Sequence, residues 1–345
     1  MNIQNIKIGK NFKTFLIAEV GLSHEGSLGL AFSMIDRAKE AGADAVKFQM
    51  HIANEESTLE EKFRSNVFIQ DKTRLDYWRR TSFSFGQWLK IKKYCNKRKI
   101  IFLCSPFSLK AVEYLKKLNV DAWKIASGEF NNLLMLDRII KLSDKPLILS
   151  TGLTYHSEIK HVLKMIRKKN KKIILLQCNS EYPSKIENVG HNLINEFQKK
   201  YRLEVGVSDH SGSLNSLITA VTMGACVIET HVCFNKKYFG PDTSSSILFE
   251  ELEFLSKFTK DFHNIKNSKN TKNNLDKNQI RLRKMFNKTL AFNKTLKKNT
   301  KINTGDLMDV KPMIGIKSLN YRKIIGKKTK INVLKKKIIT NKIVQ

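Results

Sequence analysis

The chain has no run of 18 apolar residues, and its opening residues, MNIQNIKIGKNF, contain neither an apolar signal core nor a cleavage site. Neither a membrane-spanning helix nor a secretory leader is expected, and the reading is of a cytoplasmic protein with no membrane partner. Cysteine is sparse and without pattern: Cys95, Cys104, Cys178, Cys226 and Cys233 include no CxxC pair. Such an odd, scattered set reads as buried thiols in a reducing compartment and argues against a cysteine metal site. Acidic residues are missing from the end of the chain. None follows Asp309, and residues 261–345 hold 23 Lys and Arg against 4 Asp and Glu, so the formal charge of +32 is mainly C-terminal. That region has little Arg and few aromatic rings on which bases could stack. It is expected to be a solvated lysine-biased surface and not a nucleic-acid site, because phosphate contacts alone give weak, salt-sensitive binding.

What is present points to a folded two-domain chain. Its 345 residues suit one large domain plus a small one, and 41% hydrophobic residues supply a sizeable core. From Thr14 to about Phe262, short runs rich in Val, Ile and Leu alternate with amphipathic stretches of helical period. Eight such runs occur: 14–20, 44–49, 99–105, 121–127, 145–151, 172–178, 203–209 and 226–232. Gly42, Asn119 and Gly224 follow helix candidates and suit left-handed stops. Eight strand–helix units close into an α/β fold of the (β/α)8 TIM-barrel class. An open doubly wound sheet would also alternate, but it normally carries a glycine-rich phosphate turn after its first strand, and GLSHEG lacks that spacing.

Residues 50–86 form an outsized connection after the second strand and are expected to help cover a substrate. The barrel domain is predicted over 1–265, an Asn/Lys-rich linker over 266–283, and a small module of short strands and turns over 284–345.

In a barrel the active site lies where the strands end. The polar residues there are Glu19, Ser23, His24 and Glu25; Lys47 and Gln49; Ser105; Lys124, Ser127 and Glu129; Asn179, Ser180 and Tyr182; Ser208, Asp209 and His210; and Glu229 and His231. Strand alternation gives Ser208 and His210 one parity, and Glu229 and His231 another common one, so the two histidines could converge on a metal; two unrelated core histidines are the plainer alternative. Lys47 and Lys124 sit in runs expected to be buried, where an unpaired ammonium is costly. They could cradle an anion with the nearby serines, pair with acids such as Glu129 or Glu19, or, with a lowered pKa, form a Schiff base as in a metal-free aldolase. A non-catalytic anion-binding module is a third reading.

The blocks IAEVGLSHEG, AGADAVKFQ, SPFSLKAVEYL, WKIASGEFNN, LILSTG, QCNSEYPS, VGVSDHS, GACVIETHV and FGPDTSSS, in this order, resemble the N-acetylneuraminate synthase family, which includes legionaminate and pseudaminate synthases. The resemblance implies condensation of phosphoenolpyruvate with an N-acylated amino sugar, N-acetylmannosamine or a diacetamido trideoxy hexose. It implies that His210 and His231 bind Mn²⁺, with Mg²⁺ or Co²⁺ as alternatives. Lys47, Ser105, Lys124, Ser127, Ser180 and Ser208 would hold phosphoenolpyruvate, Gln49, Glu129, Tyr182 and Asp242 would face the sugar, and Glu25 would be the catalytic carboxylate. The C-terminal module is similar to the family's antifreeze-like (SAF) domain, which implies a domain-swapped homodimer. Lys311 stands where that domain usually carries an arginine, and a lysine cannot reproduce its planar fork.

Overall fold

The computed structural model describes residues 1–63, 70–169, 172–269 and 271–345, and the chain divides into two compact units, Met1–Asn267 and Ser268–Gln345. In the first unit eight parallel strands form one nearly closed barrel: β1 (Phe15–Gly21), β2 (Ala45–Met50), β3 (Ile101–Pro106), β4 (Trp123–Ile125), β5 (Leu147–Ser150), β6 (Ile173–Cys178), β7 (Glu204–Asp209) and β8 (Val227–Cys233). The hydrogen-bonded order is β3-β2-β1-β8-β7-β6-β5-β4, and the end strands β3 and β4 lie side by side. Each strand is followed by a helix that packs on the outside. These are α1 (Leu28–Glu40) after β1; α4 (Phe85–Arg98) after β2, preceded in the same connection by α2 (Ala53–Glu56) and α3 (Arg74–Thr81); then α5 (Leu109–Lys117), α6 (Leu133–Leu142), α7 (His156–Arg167), α8 (Leu193–Tyr201), α9 (Leu214–Thr222) and α10 (Phe249–Lys266).

Local chemistry sets the helix limits. Ser27, Ser84 and Ser108 accept hydrogen bonds from the third residue inside α1, α4 and α5, satisfying amides that the first turn leaves open. Gly42, Asn119 and Gly224 take positive φ of 82°, 51° and 95°, the left-handed stops expected of them.

The barrel interior changes character along each strand. Phe15, Ile17, Ala45, Ile101, Leu103, Ile148, Ile174, Leu176 and Val227 form a separate apolar cluster with Ile3 and Ile8 from the N-terminal end. Two residues further along, at the same parity, stand Glu19, Lys47, Ser105, Ser150 and Glu229. The apolar plug thus occupies the strand beginnings and the polar chemistry the strand ends. The larger core lies between strands and helices, where Phe48, Trp88, Phe102, Trp123 and Phe130 are buried. Among the described residues no helix is long and apolar enough to cross a membrane.

The second unit is small. Strands β9 (Thr289–Phe292) and β10 (Leu307–Val310) pair antiparallel, and the stretches around Leu296 and Val333, and around Lys301 and Lys328, meet through isolated bridges. Its core is Leu290, Phe292, Leu296, Ile302, Ile324, Val333, Ile339, Ile343 and Val344. The segment expected as a linker departs from that expectation: α11 (Lys277–Phe286) occupies its second half, started by an Asp276–Gln279 capping box. Asp276 outweighs the surrounding Asn-rich composition. Asn270 and residues 64–69 of the long 50–86 connection lie outside the described residues.

Candidate active site

Strand parity brings four charges together at the floor of the barrel mouth. Lys47 Nζ lies 2.7 Å from Glu19 Oε2 and 3.6 Å from Glu229 Oε1, and Lys124 Nζ lies 3.2 Å from the same Glu229 oxygen. Ser150 Oγ accepts from Lys124 Nζ at 2.8 Å, Ser208 Oγ donates to Glu229 Oε1 at 3.0 Å, and Ser105 Oγ accepts from Lys47 Nζ at 3.5 Å. Gln49 Nε2 donates to Glu19 Oε1 at 2.9 Å. All four charged side chains are buried.

Burial disfavours charge at each of them, and neighbours decide the outcome. Burial would raise Glu229, but Lys124 and Lys47 outweigh it and hold the carboxylate at about 2. Burial would lower Lys47, but Glu19 and Glu229 outweigh it and its pKa rises. Lys124 is lowered, by burial and by the charge of Lys47, and Glu19 is raised, chiefly by burial. Of the acids expected as lysine partners, Glu19 is one. Glu129 is not: its Oε2 accepts from Asn132 Nδ2 at 2.8 Å, and Glu229 takes its place beside Lys124.

Above the floor stand the imidazoles. The His210 and His231 ring centroids are 5.5 Å apart, and Tyr182 stacks on His210 at 4.2 Å. His210 Nδ1 donates to the Asn179 carbonyl at 2.7 Å, which leaves Nε2 facing the Tyr182 hydroxyl at 3.1 Å. Burial opposes the imidazolium, yet the sulfur of Cys178, 3.7 Å away, outweighs it and His210 is raised to about 9. His231 is lowered to about 3, mainly by burial; its Nδ1 has no hydrogen-bond partner among the described residues and lies 3.8 Å from Asp242 Oδ2. Gly21 makes this approach feasible. Its φ is +54°, the register of β1 against β2 shifts between Glu19 and Gly21, and a Cβ there would sit 3.2 Å from His231 Cε1 and 3.3 Å from Asp242 Oδ2.

The donor set fits a divalent ion. His210 donates Nδ1–H to a carbonyl, the arrangement that aims the opposite nitrogen at a metal once the ion displaces its proton, and His231 presents an orphaned buried nitrogen beside a carboxylate. Among the described residues no group of three or more His, Cys, Asp or Glu is arranged to hold an ion.

A cavity of about 370 Å³ opens beside these groups, lined by the expected Gln49, Ser127, Glu129, Ser180, Tyr182 and Asp242. Gly152 leaves room there: a Cβ would fall on Ser180 Oγ and lie 2.7 Å from Ser127 Oγ, so those hydroxyls would have to turn away. The serine hydroxyls therefore face bare backbone. Lys47, Lys124, Ser105, Ser208 and the histidines lie outside the lining, among the buried residues. Glu25 is not brought to the cavity. It sits at φ +49° after β1, with Oε2 bound by Arg80 Nη1 at 2.8 Å, and Arg80 also grips Asp71.

Sequence reasoning missed two groups. Ser150 ends β5 at the interior parity, and the rule applied to the other strands would have found it. The remaining wall comes from the long connection. The His51 ring lies between Trp78 (3.9 Å) and Phe107 (4.2 Å), its Nδ1 is 2.6 Å from Glu56 Oε1, and Glu61 accepts from Trp78 Nε1 at 2.9 Å while pairing with Arg74 at 3.0 Å. No spacing in the sequence announces these contacts.

A (β/α)8 barrel with buried lysine–carboxylate pairs, serines and two facing imidazoles at its strand ends defines an enzyme of the barrel class. The chain belongs to the NeuB family, whose model matches residues 34–273. It is 33% identical to the N,N'-diacetyllegionaminic acid synthase of Campylobacter jejuni over 91% of this chain and 95% of that one. It is also 33% identical to the human N-acetylneuraminate-9-phosphate synthase, over 70% of this chain and 67% of that one. The crystal structure of the N-acetylneuraminic acid (sialic acid) synthetase from Leptospira borgpetersenii, in complex with citrate, superposes with a TM-score of 0.71 at 30% identity, covering 82% of this chain and 94% of that one.

Proposed function

We propose that this NeuB-family enzyme condenses phosphoenolpyruvate with an N-acylated amino sugar, releasing phosphate and forming a nonulosonic acid. The observation that carries the reading is the polar floor beneath the cavity, where Lys47 and Lys124 stand with Ser105, Ser150 and Ser208 at the ends of parallel strands. Lysines and serines so placed suit a phosphate and a carboxylate. Ser127 and Ser180, facing the bare backbone at Gly152, extend the cradle toward the cavity.

Gln49, Glu129, Tyr182 and Asp242 then orient the acceptor sugar, all four lining the cavity. His210 and His231 would hold a divalent ion, Mn²⁺ or a similar one, which when bound supplies Lewis-acid polarisation of the acceptor aldehyde. The carbon nucleophile is the methylene of the enol phosphate; after it adds to the aldehyde, water adds at the phosphate-bearing carbon and phosphate departs. Glu25 is the carboxylate proposed to take the proton of that water. Its pairing with Arg80 occupies one oxygen, so the role requires the pair to open. The Schiff-base alternative is weakened by the lysines' own partners: each Nζ is held by a carboxylate and a hydroxyl.

The same proposal extends to a homodimer and to an antifreeze-like identity for the second unit, with Lys311 in place of the family arginine. The test is phosphate release from phosphoenolpyruvate by chelator-stripped protein, with and without Mn²⁺, across a panel of N-acylated amino sugars. Release that requires both the metal and one sugar is the expected result. Release indifferent to chelation, with borohydride trapping of substrate on Lys47 or Lys124, would replace the proposal with the aldolase.

A further inference from the structure

The two relatives at 33% identity differ in what their names place on the product, since only the human one is named for a phosphate ester. Overall similarity cannot choose between them, but the wall of the cavity can. Among the described residues its lining carries four carboxylates, Glu56, Glu61, Glu129 and Asp242, against two groups able to be cationic, Arg74 and His51. Both are already engaged by acids of the same wall: Arg74 Nε is 3.0 Å from Glu61 Oε1, and His51 Nδ1 is 2.6 Å from Glu56 Oε1. Glu56 Oε2 is buried without a hydrogen-bond partner among the described residues. Burial, together with the negative charge of Glu56, raises the pKa of Glu129, so the two carboxylates act on each other. The wall also carries the polar Gln49, Ser127, Ser180 and Tyr182, and aromatic and apolar side chains from Leu22, Tyr77, Trp78, Phe107 and Leu153.

A phosphate dianion placed here would be stripped of water beside like charges, with Arg74 and His51, the candidate cations among the described residues, each already beside an acid. Glu56 Oε2 still calls for an N–H or O–H donor. A buried carboxylate oxygen without a partner is satisfied by a neutral donor, and aromatic faces accept the C–H side of a sugar.

Resting on the proposed condensation, we infer that the acceptor sugar is unphosphorylated and neutral, and that Glu56, held by His51 between Trp78 and Phe107, is a specificity-determining residue that accepts a hydrogen bond from it. The anionic partner, phosphoenolpyruvate, is thereby directed to the lysine floor, and the neutral one to the acidic wall.

The experiment measures phosphate release from phosphoenolpyruvate with N-acetylmannosamine, with a diacetamido trideoxy hexose, and with N-acetylmannosamine carrying a phosphate ester at its primary hydroxyl. At least one neutral sugar should exceed the ester in kcat/KM by about 100-fold, as several kcal/mol of like-charge repulsion implies. Glu56→Gln, which keeps the shape, should raise KM for the neutral acceptor and shrink the discrimination about tenfold, with KM for phosphoenolpyruvate unchanged. Glu129→Gln gives a second, independent removal of charge and should shrink it in the same direction. An ester used as well as the neutral sugars, or an undiminished discrimination in both variants, overturns the inference while leaving the condensation intact. Turnover of none of the three sugars sinks the proposed condensation and this inference with it.

Discussion

The floor and the wall of the cavity are built on opposite plans. Charges on the floor stand on barrel strands, each lysine in contact with a carboxylate, and all four side chains are buried. The wall is carried in large part by a connection of about 35 residues, completed by residues that follow other strands, and the polar groups of that connection are positioned by aromatic stacking and by one another. Strand backbones hold geometry to fractions of an ångström whatever the side chain does, whereas a wall of stacked side chains can be altered one residue at a time. The comparison teaches that a floor of this kind suits the reactant common to a family of synthases, and a loop-borne wall suits the reactant that varies.

The largest effect should come from breaking the floor. Glu229→Gln removes the carboxylate shared by Lys124 and Lys47 and leaves Lys124 buried without its counter-charge, which should cost about 3–5 kcal/mol in a denaturant titration. If the loss is below about 1 kcal/mol, the floor is not the rigid paired lattice described here. The same residue predicts a pH dependence. Its carboxylate is held at about 2 against an ordinary 4.5, so the contribution is present above about pH 4.5 and is lost as pH falls toward 2. The melting temperatures of wild type and Glu229→Gln should therefore converge across that window and stay apart above it.

Gly152→Ala probes the boundary between floor and wall. Its Cβ displaces the hydroxyls of Ser127 and Ser180, and KM for phosphoenolpyruvate should rise about tenfold, the worth of one charge-assisted hydrogen bond, without a change in melting temperature. A rise confined to the sugar KM would move those serines from the phosphate side to the acceptor side. The smallest effect is expected in the wall. His51→Asn keeps a polar group toward Glu56 but gives up both ring stacks, worth about 1 kcal/mol, and should alter acceptor KM several-fold with kcat little changed. Equal losses for both substrates would mean that the wall supports the floor and is not a separate reader of the sugar.

The contrast also explains what could be read in advance. Eight apolar runs and their helices specify a barrel because period and strand count leave few other ways to close. Strand parity placed Lys47, Gln49, Glu229 and His231 on the interior, since a strand alternates faces whatever its neighbours are. Ser150 obeyed the same rule and was passed over only because it sits among the small residues of LILSTG. Helix α11 was hidden for a different reason: its start depends on one capping aspartate in a stretch whose composition reads as linker.

The sequence by itself determined the barrel and the polar strand ends, because each follows from local periodicity and chain order; it left His210 and His231 either converging or unrelated, and the fold brings their rings to 5.5 Å. Only the tertiary structure decided that Glu229 rather than Glu129 neutralises Lys124, that Glu25 is tied to Arg80, and that His51, Glu56, Trp78 and Phe107 close into one wall. Those contacts join residues 5 to 105 positions apart in the chain, and contacts through space between loops and strands leave no periodic trace in the order of residues.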